Sequence, residues 1–168
     1  MESKGNFVDK LELYRIENDG EWIKDIETKV YFNPLERILK ALGLYRCIDD
    51  ALTDYAIEDL TSYILTRYSY ASVGIDGSSG TDYTLTDLVS PVMTRTLCTK
   101  TFDTTYSSND TAVFTGITTA TSDYTLCEFG LHDTLTSGNM GARQVSCTWD
   151  VVNGETFGMI WRIVTSRG

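Results

Sequence analysis

Apolar and polar residues alternate with a period of two along most of the chain after residue 68. The clearest run closes the sequence, where Phe157, Met159, Trp161 and Ile163 alternate with a second set that is itself partly apolar. A period of two predicts a β-strand, and apolar residues in both sets predict that both faces are covered. The pattern predicts strands at Tyr68–Ile75, Val92–Phe102, Thr111–Thr119, Tyr124–Leu131, Ala142–Trp149 and Glu155–Thr165.

Short turn-forming clusters separate these predicted strands. The segments "DGSSGTD", "SSND", "TSGN" and "VNGE" lie between them, and Asn153-Gly154 is the strongest hairpin signal of the set. Several short strands with turn-forming segments between them are typical of an antiparallel β-sandwich. We therefore predict a β-sandwich over residues 68–168.

The first 67 residues follow other patterns. "LELYRI" and "EWIKDI" flank Asp19-Gly20, which predicts a β-hairpin. In "FNPLERILKALGL", Asn33 is a suitable N-cap for a helix with one apolar stripe. A second helix is predicted from about Asp50 to Thr66 by apolar residues at every fourth position, which are Leu52, Ala56, Leu60 and Ile64. The predicted fold is mainly β, with a hairpin and two helices in residues 1–67 preceding the sandwich.

Composition restricts the classes of partner. The net charge of −10 argues against sequence-independent nucleic-acid binding and against docking on an anionic membrane. No apolar run approaches the length of a membrane span, and the N-terminus has no apolar signal region. The four cysteines form no CxxC pair, which predicts reduced thiols in a cytosolic product, without zinc or another cofactor.

The segment "CEFGLHD" at residues 127–133 brings together a thiol, two carboxylates and the only histidine. On a strand, Cys127 and His132 would point to opposite faces and lie about 16 Å apart, too far for a catalytic dyad. Glu128 and His132 would share a face about 13 Å apart, too far to chelate one metal ion. We therefore predict that Cys127, Phe129 and Leu131 belong to the core.

The prediction of core residues does not account for Glu128, which is a carboxylate in the same segment. A carboxylate inside a strand must be solvated, paired or protonated. We predict that it pairs with an arginine on an adjacent strand, either Arg143 or Arg95.

A weaker candidate site lies in "DGSSGTDYTLTD". Asp76, Asp82 and Asp87 fall at positions 1, 7 and 12 of a calcium-loop frame. Position 6 is Thr81 rather than glycine, and position 12 is not glutamate. These aspartates are a calcium hypothesis, whose alternative is an ordinary hydrated loop.

Other chemistry has little support in the sequence. There is no P-loop and no GxGxxG, and a single histidine removes most arrangements that need a histidine general base. Three of the ten tyrosines lie in "YILTRYSYASV", where surface tyrosines could serve glycan or protein recognition. They are equally ordinary strand residues.

The order of the motifs carries a resemblance. "SVGIDG" is followed by "TDYTLTDLVSP", an arginine-bearing strand at Arg95, "CEFGLHDTLTSGNMGARQVSC" and the closing "GETFGMIWRIV". This order resembles a family of tailed-phage virion structural proteins with a "VGxG" strand, an "E-x-G-L" strand, a "G-x-M-x-A-R" return strand and a "W-x-I" closing strand. The match includes Glu128, Gly130 and Arg143. His132 stands where that family usually has an aromatic residue.

The resemblance implies a non-enzymatic virion protein, made in the host cytoplasm and assembled through protein contacts. The expected role is capsid decoration or cementing, as a homo-oligomer in contact with the major capsid protein. A related "E-x-G-L" pattern in the baseplate-attaching region of phage tail fibres keeps a tail, baseplate or fibre-attachment role open. A third alternative is a module at the tail that binds a host receptor or glycan.

Overall fold

The computed structural model describes residues 9–30, 54–78, 85–106, 108–145 and 147–165. Within these ranges the protein is mainly β, with one helix, α1 (Asp54–Arg67), between the second and third strands. The strands are β1 (Asp9–Ile16), β2 (Trp22–Val30), β3 (Tyr70–Gly74), β4 (Thr96–Leu97), β5 (Thr99–Asp103), β6 (Thr111–Thr119), β7 (Tyr124–Leu126), β8 (Glu128–His132), β9 (Met140–Gln144), β10 (Trp149–Val151) and β11 (Thr156–Val164).

The strands form three antiparallel sheets. A five-stranded sheet has the order β2-β1-β11-β6-β5, and we call it the large sheet. A four-stranded sheet, the small sheet, has the order β4-β3-β8-β9, and β10 pairs with β7 in a two-stranded sheet. Each pairing between these strands is antiparallel.

The predicted N-terminal hairpin is confirmed as β1 and β2. Gly20 closes the turn with φ of 86°, a left-handed conformation that glycine adopts at little cost. The hairpin joins the large sheet because β1 pairs with β11 from Lys10–Arg162 to Arg15–Phe157. The division predicted near Arg67 coincides with the end of α1, while the large sheet contains strands from both sides of it.

One core connects the two larger sheets and the helix. Trp161 and Phe114 of the large sheet, Phe129 of the small sheet and Ile64 of α1 are each 0% exposed and belong to the same cluster. The sheets approach closely at Gly116, where an added Cβ would lie 3.2 Å from the Ala71 Cβ. On the other face of β11, Ile160 and Arg162 are only half-buried, so that strand is fully covered on one face along its centre.

Helix α1 corresponds to the second predicted helix, from about Asp50 to Thr66, and ends one residue later, at Arg67. Its buried residues are Ile57, Leu60, Thr61, Ile64 and Leu65. Its C-terminal end receives the Lys100 ammonium of β5, which donates to the carbonyl oxygens of Leu65 at 2.7 Å and Tyr68 at 3.0 Å. A cation at this end is favourable because the last carbonyl groups of a helix carry negative partial charge. The first predicted helix, beginning at Asn33, lies outside the described residues.

The prediction of three long strands was wrong. Val92–Phe102 contains β4 and β5, which belong to different sheets, and Tyr124–Leu131 is divided at Cys127 into β7 and β8. Ala142–Trp149 spans most of β9 and the start of β10. At each break the chain changes its pairing partner while burial continues, so the apolar pattern runs through the break. Cys127 is half-buried rather than a core residue.

Candidate functional site

Residues 85–95 form a segment that we call the strap. It passes over one face of the small sheet at Leu88, beside Gly130, and reaches the edge of the sheet at Pro91, opposite Gly74 of β3. Its backbone is joined to the end of β3 because Ile75 N donates to Ser90 O at 3.1 Å and Val92 N donates to Val73 O at 3.2 Å. Leu88 of the strap is 5% exposed, which places an apolar side chain beneath this segment. The strap therefore covers the sheet face that carries the polar residues of "CEFGLHD".

The strap is fastened at its centre by Glu128 of β8. Val89 N donates to Glu128 Oε1 at 2.8 Å, and Ser90 N donates to Oε2 at 3.1 Å. Arg143 of β9 also donates to Oε1, from Nε at 2.8 Å and from Nη2 at 2.6 Å. We call these four groups the Glu128 latch.

The latch is buried, so its carboxylate needs a partner within the protein. The side chain of Glu128 is 0% exposed and that of Arg143 is 9% exposed. A buried carboxylate is tolerated only when it is paired and hydrogen-bonded, and here both oxygens accept hydrogen bonds. Arg143 is thus the arginine that the structure joins to Glu128.

Arg95, the other arginine named from the sequence, fastens the end of the strap. Its Nη1 donates to the carbonyl oxygens of Thr134 at 2.8 Å and Ser137 at 2.7 Å, and its Nη2 lies 2.7 Å from Asp87 Oδ2. The Arg95 side chain is 8% exposed, whereas Asp87 is 50% exposed and Thr134 and Ser137 are exposed, so a largely buried guanidinium is bonded to groups at the surface. Arg95 therefore ties the strap to the loop between β8 and β9.

Three glycines provide the clearance for these contacts. A Cβ at Gly74 would lie 2.7 Å from Glu128 Oε2, and a Cβ at Gly141 would lie 2.4 Å from the Tyr68 ring. A Cβ at Gly130 would lie 2.7 Å from His132 Nε2, 2.8 Å from Ser72 Oγ and 2.9 Å from Leu88 Cδ2. Glycine is required at these strand positions because other groups approach the backbone closely.

The clearance at Gly130 leads to a first prediction. Gly130→Ala is expected to destabilise the protein by about 1–3 kcal/mol, since the new methyl group would overlap three neighbouring groups at once. The free energy of unfolding from urea denaturation measures this. Gly77→Ala is the matched control, because its Cβ would meet only the Cys127 Cβ closely, at 3.2 Å. Equal losses in the two variants would contradict the clearance argument.

His132 is bonded to a residue that the sequence analysis did not name. Its Nε2 lies 2.7 Å from Ser72 Oγ of β3, and Asp87 Oδ1 lies 3.9 Å from the same nitrogen. A catalytic triad needs the acid on the other ring nitrogen, so this arrangement is not a Ser-His-Asp triad. His132 is 0% exposed and Ser72 is 3% exposed, so neither can meet a substrate in this conformation.

The surroundings of His132 favour its neutral form. Burial and the nearby Arg95 guanidinium lower the pKa of His132 to about 4, against the opposite effects of Asp87 and Asp133. Burial opposes the low pKa of Asp87, but the Arg95 guanidinium and the Leu88 backbone N–H hold that pKa below its usual value. The strap therefore meets the small sheet through an ionised Asp87 and a neutral imidazole.

The two described aspartates of the calcium hypothesis, Asp76 and Asp87, are bonded to other groups of the chain. Asp76 Oδ1 accepts hydrogen bonds from Ser78 N at 2.7 Å and Ser78 Oγ at 2.6 Å, and Asp87 is paired with Arg95. Asp82 lies outside the described residues. Within the described part of the chain, no group of three or more His, Cys, Asp or Glu residues could hold a metal ion.

The three described cysteines, Cys98, Cys127 and Cys147, are free thiols. Burial raises the pKa of Cys98 to about 12 and that of Cys147 to about 11. A thiol with a raised pKa is a poor nucleophile at neutral pH, since the thiolate is the reactive form. Cys47 lies outside the described residues.

Comparisons with protein-family models, with curated proteins and with solved structures found no match to this chain. Within the described ranges, no helix has the length and apolar character needed to cross a bilayer. The site is therefore defined by its own geometry: a buried latch that fastens a strap to an antiparallel sheet.

Proposed function

We propose that this chain is a non-enzymatic structural component of a tailed-phage virion, with capsid decoration or cementing as its role. The observation that carries the proposal is the Glu128 latch. Glu128, Gly130 and Arg143 are among the residues that carry the resemblance to virion proteins. Arg143 donates to Glu128, and it lies opposite Gly130 in the pairing of β9 with β8. Such an arrangement supports a role in rigidity, because the carboxylate oxygens and the arginine already serve contacts within the chain.

The fold that accompanies this proposal is a β-sandwich, with the large sheet and the small sheet as its two layers. Buried residues of both sheets in one core support it. A rigid sandwich suits repetitive attachment, which requires a defined surface rather than a cleft that changes shape. The expected partners are the major capsid protein and further copies of this chain.

The charge of the protein is compatible with this role. A net charge of −10 keeps free copies apart by mutual repulsion before they assemble on a particle. The free thiols at Cys98, Cys127 and Cys147 suit synthesis in the reducing cytoplasm of a host. The finished protein would then reside in the virion.

Immunogold electron microscopy of virions of the encoding phage tests the proposal. We expect gold particles at regular positions on the head, and particles from a deletion strain serve as the control. Label confined to the tail or baseplate would replace decoration with the attachment role. Labelling no different from that of the deletion strain would overturn the virion proposal as a whole.

A further inference from the structure

Two free thiols lie where the small sheet passes into the two-stranded sheet. Cys127 lies between β7 and β8 on one stretch of chain, and Cys147 lies between β9 and β10 on the other. The backbone pairs that bound this junction are Leu126–Trp149 of β7 with β10 and Phe129–Gln144 of β8 with β9. Because the same two stretches are paired on both sides of the junction, the two cysteines lie on neighbouring antiparallel stretches.

The separation of the two stretches suits a disulfide bond. Paired residues of antiparallel strands have Cα atoms about 4.5–5.5 Å apart, and a disulfide joins Cα atoms about 4.4–6.8 Å apart. Neither Cys127 nor Cys147 belongs to a backbone pair of β7 with β10 or of β8 with β9. A disulfide between them would therefore join the two stretches at the point where backbone pairing is interrupted.

Two further observations place the thiols close together. A Cβ on Gly77 would lie 3.2 Å from Cys127 Cβ and 3.8 Å from Val145 O, so Cys127 lies beside the stretch that carries Cys147. Burial and the neighbouring Cys127 thiol raise the pKa of Cys147 to about 11, against a backbone hydrogen bond that lowers it. Two ionisable groups affect each other in this way only at short range.

The accessibility of the two thiols separates them from the third described cysteine. Cys127 and Cys147 are half-buried, whereas Cys98 is 5% exposed. Gly77, beside Cys127, is exposed. A small oxidant in solution can therefore reach this pair more readily than it can reach Cys98.

We propose that Cys127 and Cys147 are a redox-sensitive pair, which hydrogen peroxide converts to a disulfide. The Cys127 sulfur first attacks the peroxide and the O–O bond breaks. One hydroxyl group stays on the sulfur as a sulfenic acid, and the other leaves with the thiol proton as water. The Cys147 sulfur then attacks the sulfenic sulfur, the S–O bond breaks, and the hydroxyl group leaves with the second thiol proton as water. Each thiol has lost one electron and the peroxide has gained two.

The order of the two steps follows from the surroundings of Cys147. Its raised pKa makes it a slow nucleophile towards a reagent in solution, because the thiolate is the reactive form. The second step joins two groups of the same chain that already lie close together, and such proximity accelerates a slow attack. Cys147 is therefore the thiol that closes the bond.

The disulfide would act on the part of the fold that holds the strap. The closed loop runs from Cys127 to Cys147 and contains both Glu128 and Arg143 of the latch. A cross-link restricts the unfolded chain, which favours the folded arrangement of the residues that it encloses. The inference does not depend on the virion proposal, because the chemistry of two neighbouring thiols is the same wherever the protein resides.

Treatment of the full-length protein with hydrogen peroxide, followed by alkylation of the remaining thiols and peptide mass spectrometry, tests the inference. We expect a monomeric product that has lost the mass of two hydrogen atoms, with the peptides of Cys127 and Cys147 linked to each other. Dithiothreitol should restore both thiols. Thiols that stay reduced, a disulfide between two copies, a disulfide between other cysteines, or sulfinic acid without this linkage would overturn the inference.

The variant Cys98→Ala is the matched control for Cys127→Ala, since it removes a thiol outside the pair. We expect peroxide to form the same disulfide in Cys98→Ala and to form no disulfide within the Cys127→Ala chain. The urea midpoint of the oxidised unchanged protein should fall when dithiothreitol is added, whereas that of peroxide-treated Cys127→Ala should not change. An equal response in these two proteins would contradict the role of the pair. The virion localisation experiment would be unaffected by that result.

Discussion

Replacing Glu128 with glutamine is expected to lower the free energy of unfolding by about 3–5 kcal/mol, because it removes the buried carboxylate to which the Arg143 charge is bonded. The carboxylate faces only donors: two backbone N–H groups of the strap and two nitrogens of Arg143. A carboxamide has one accepting oxygen, so its NH₂ group would necessarily oppose a donor. Urea denaturation of the two proteins measures the loss.

The exposed pair of Arg162 and Asp103 provides the control for this measurement. Arg162 Nη1 lies 2.6 Å from Asp103 Oδ2, but the Asp103 side chain is 51% exposed. Asp103→Asn is therefore expected to cost less than about 1 kcal/mol. If Glu128→Gln were no more harmful than Asp103→Asn, the latch would not be a major source of stability.

A double-mutant cycle separates the ion pair from the other contacts of Glu128. Arg143→Met removes the buried cation, so Glu128→Gln should cost less in that background than in the unchanged protein. We expect a coupling energy of about 1–3 kcal/mol between the two substitutions. Additive losses would show that Glu128 acts on the strap alone, through Val89 and Ser90.

Features that depend on local periodicity, or on the need of a buried charge for a partner, could be predicted from the sequence. The predicted strand Thr111–Thr119 has the same bounds as β6, and Asp19-Gly20 forms the predicted turn. The rule that a buried carboxylate needs a partner limited the search for the partner of Glu128 to two arginines. One of those two is Arg143, on the neighbouring strand β9.

Features that depend on long-range pairing could not be predicted from the sequence. Cys98 N donates to Ser69 O, and Cys127 N donates to Gly74 O, so both cysteines lie where a strand changes partner. Apolar alternation reports burial and says nothing about which strand supplies the hydrogen bonds. The prediction of continuous strands failed for that reason.

The partner of His132 was also beyond sequence reasoning. Ser72 is 60 positions away, and only the pairing of β3 with β8 brings the two residues together. The one available signal was Gly130, because a glycine inside an apolar strand indicates that another group approaches the backbone. That signal indicates that something is close but does not identify it.

The strap explains why these contacts should act as one unit. Glu128 holds its centre and Arg95 holds its end, and Leu88 and His132 lie between these two fasteners. Both fasteners hold the same segment, so releasing one would loosen the segment that the other holds. Loss of either is therefore expected to weaken the same cooperative region.

Acidification should destabilise the protein through His132, by about 3 kcal/mol between pH 6.5 and pH 4. The pKa of His132 is lowered to about 4 in the folded protein, from an ordinary value of 6.5. As the pH falls through this window, the unfolded chain takes up a proton that the folded chain does not. The stability contributed by the neutral imidazole is therefore fully present above pH 6.5 and is lost by pH 4.

The surroundings of the ring explain why the folded protein resists this proton. Protonation would place N–H groups on both ring nitrogens, and His132 Nδ1 is buried with no acceptor among the described residues. Arg95 would then face a second positive charge. The low pKa of Asp87 and Asp133 affects stability mainly below their ordinary value of 3.8, so these two carboxylates act largely in a separate pH range. The pKa values of Glu12 and Glu27 are lowered from an ordinary value of 4.5, so these residues add to the loss only at the acid end of the window.

The free energy of unfolding, measured by urea denaturation at intervals from pH 7 to pH 4, tests the contribution of His132. The unchanged protein should lose up to about 1.4 kcal/mol per pH unit within this window. His132→Gln removes the titrating group, so its stability should be nearly constant from pH 6.5 to pH 5 even if its absolute stability is lower. Because the slope is the measured quantity, a general loss of stability in the variant does not affect the test. A variant with the same slope as the unchanged protein would assign the acid sensitivity to other groups.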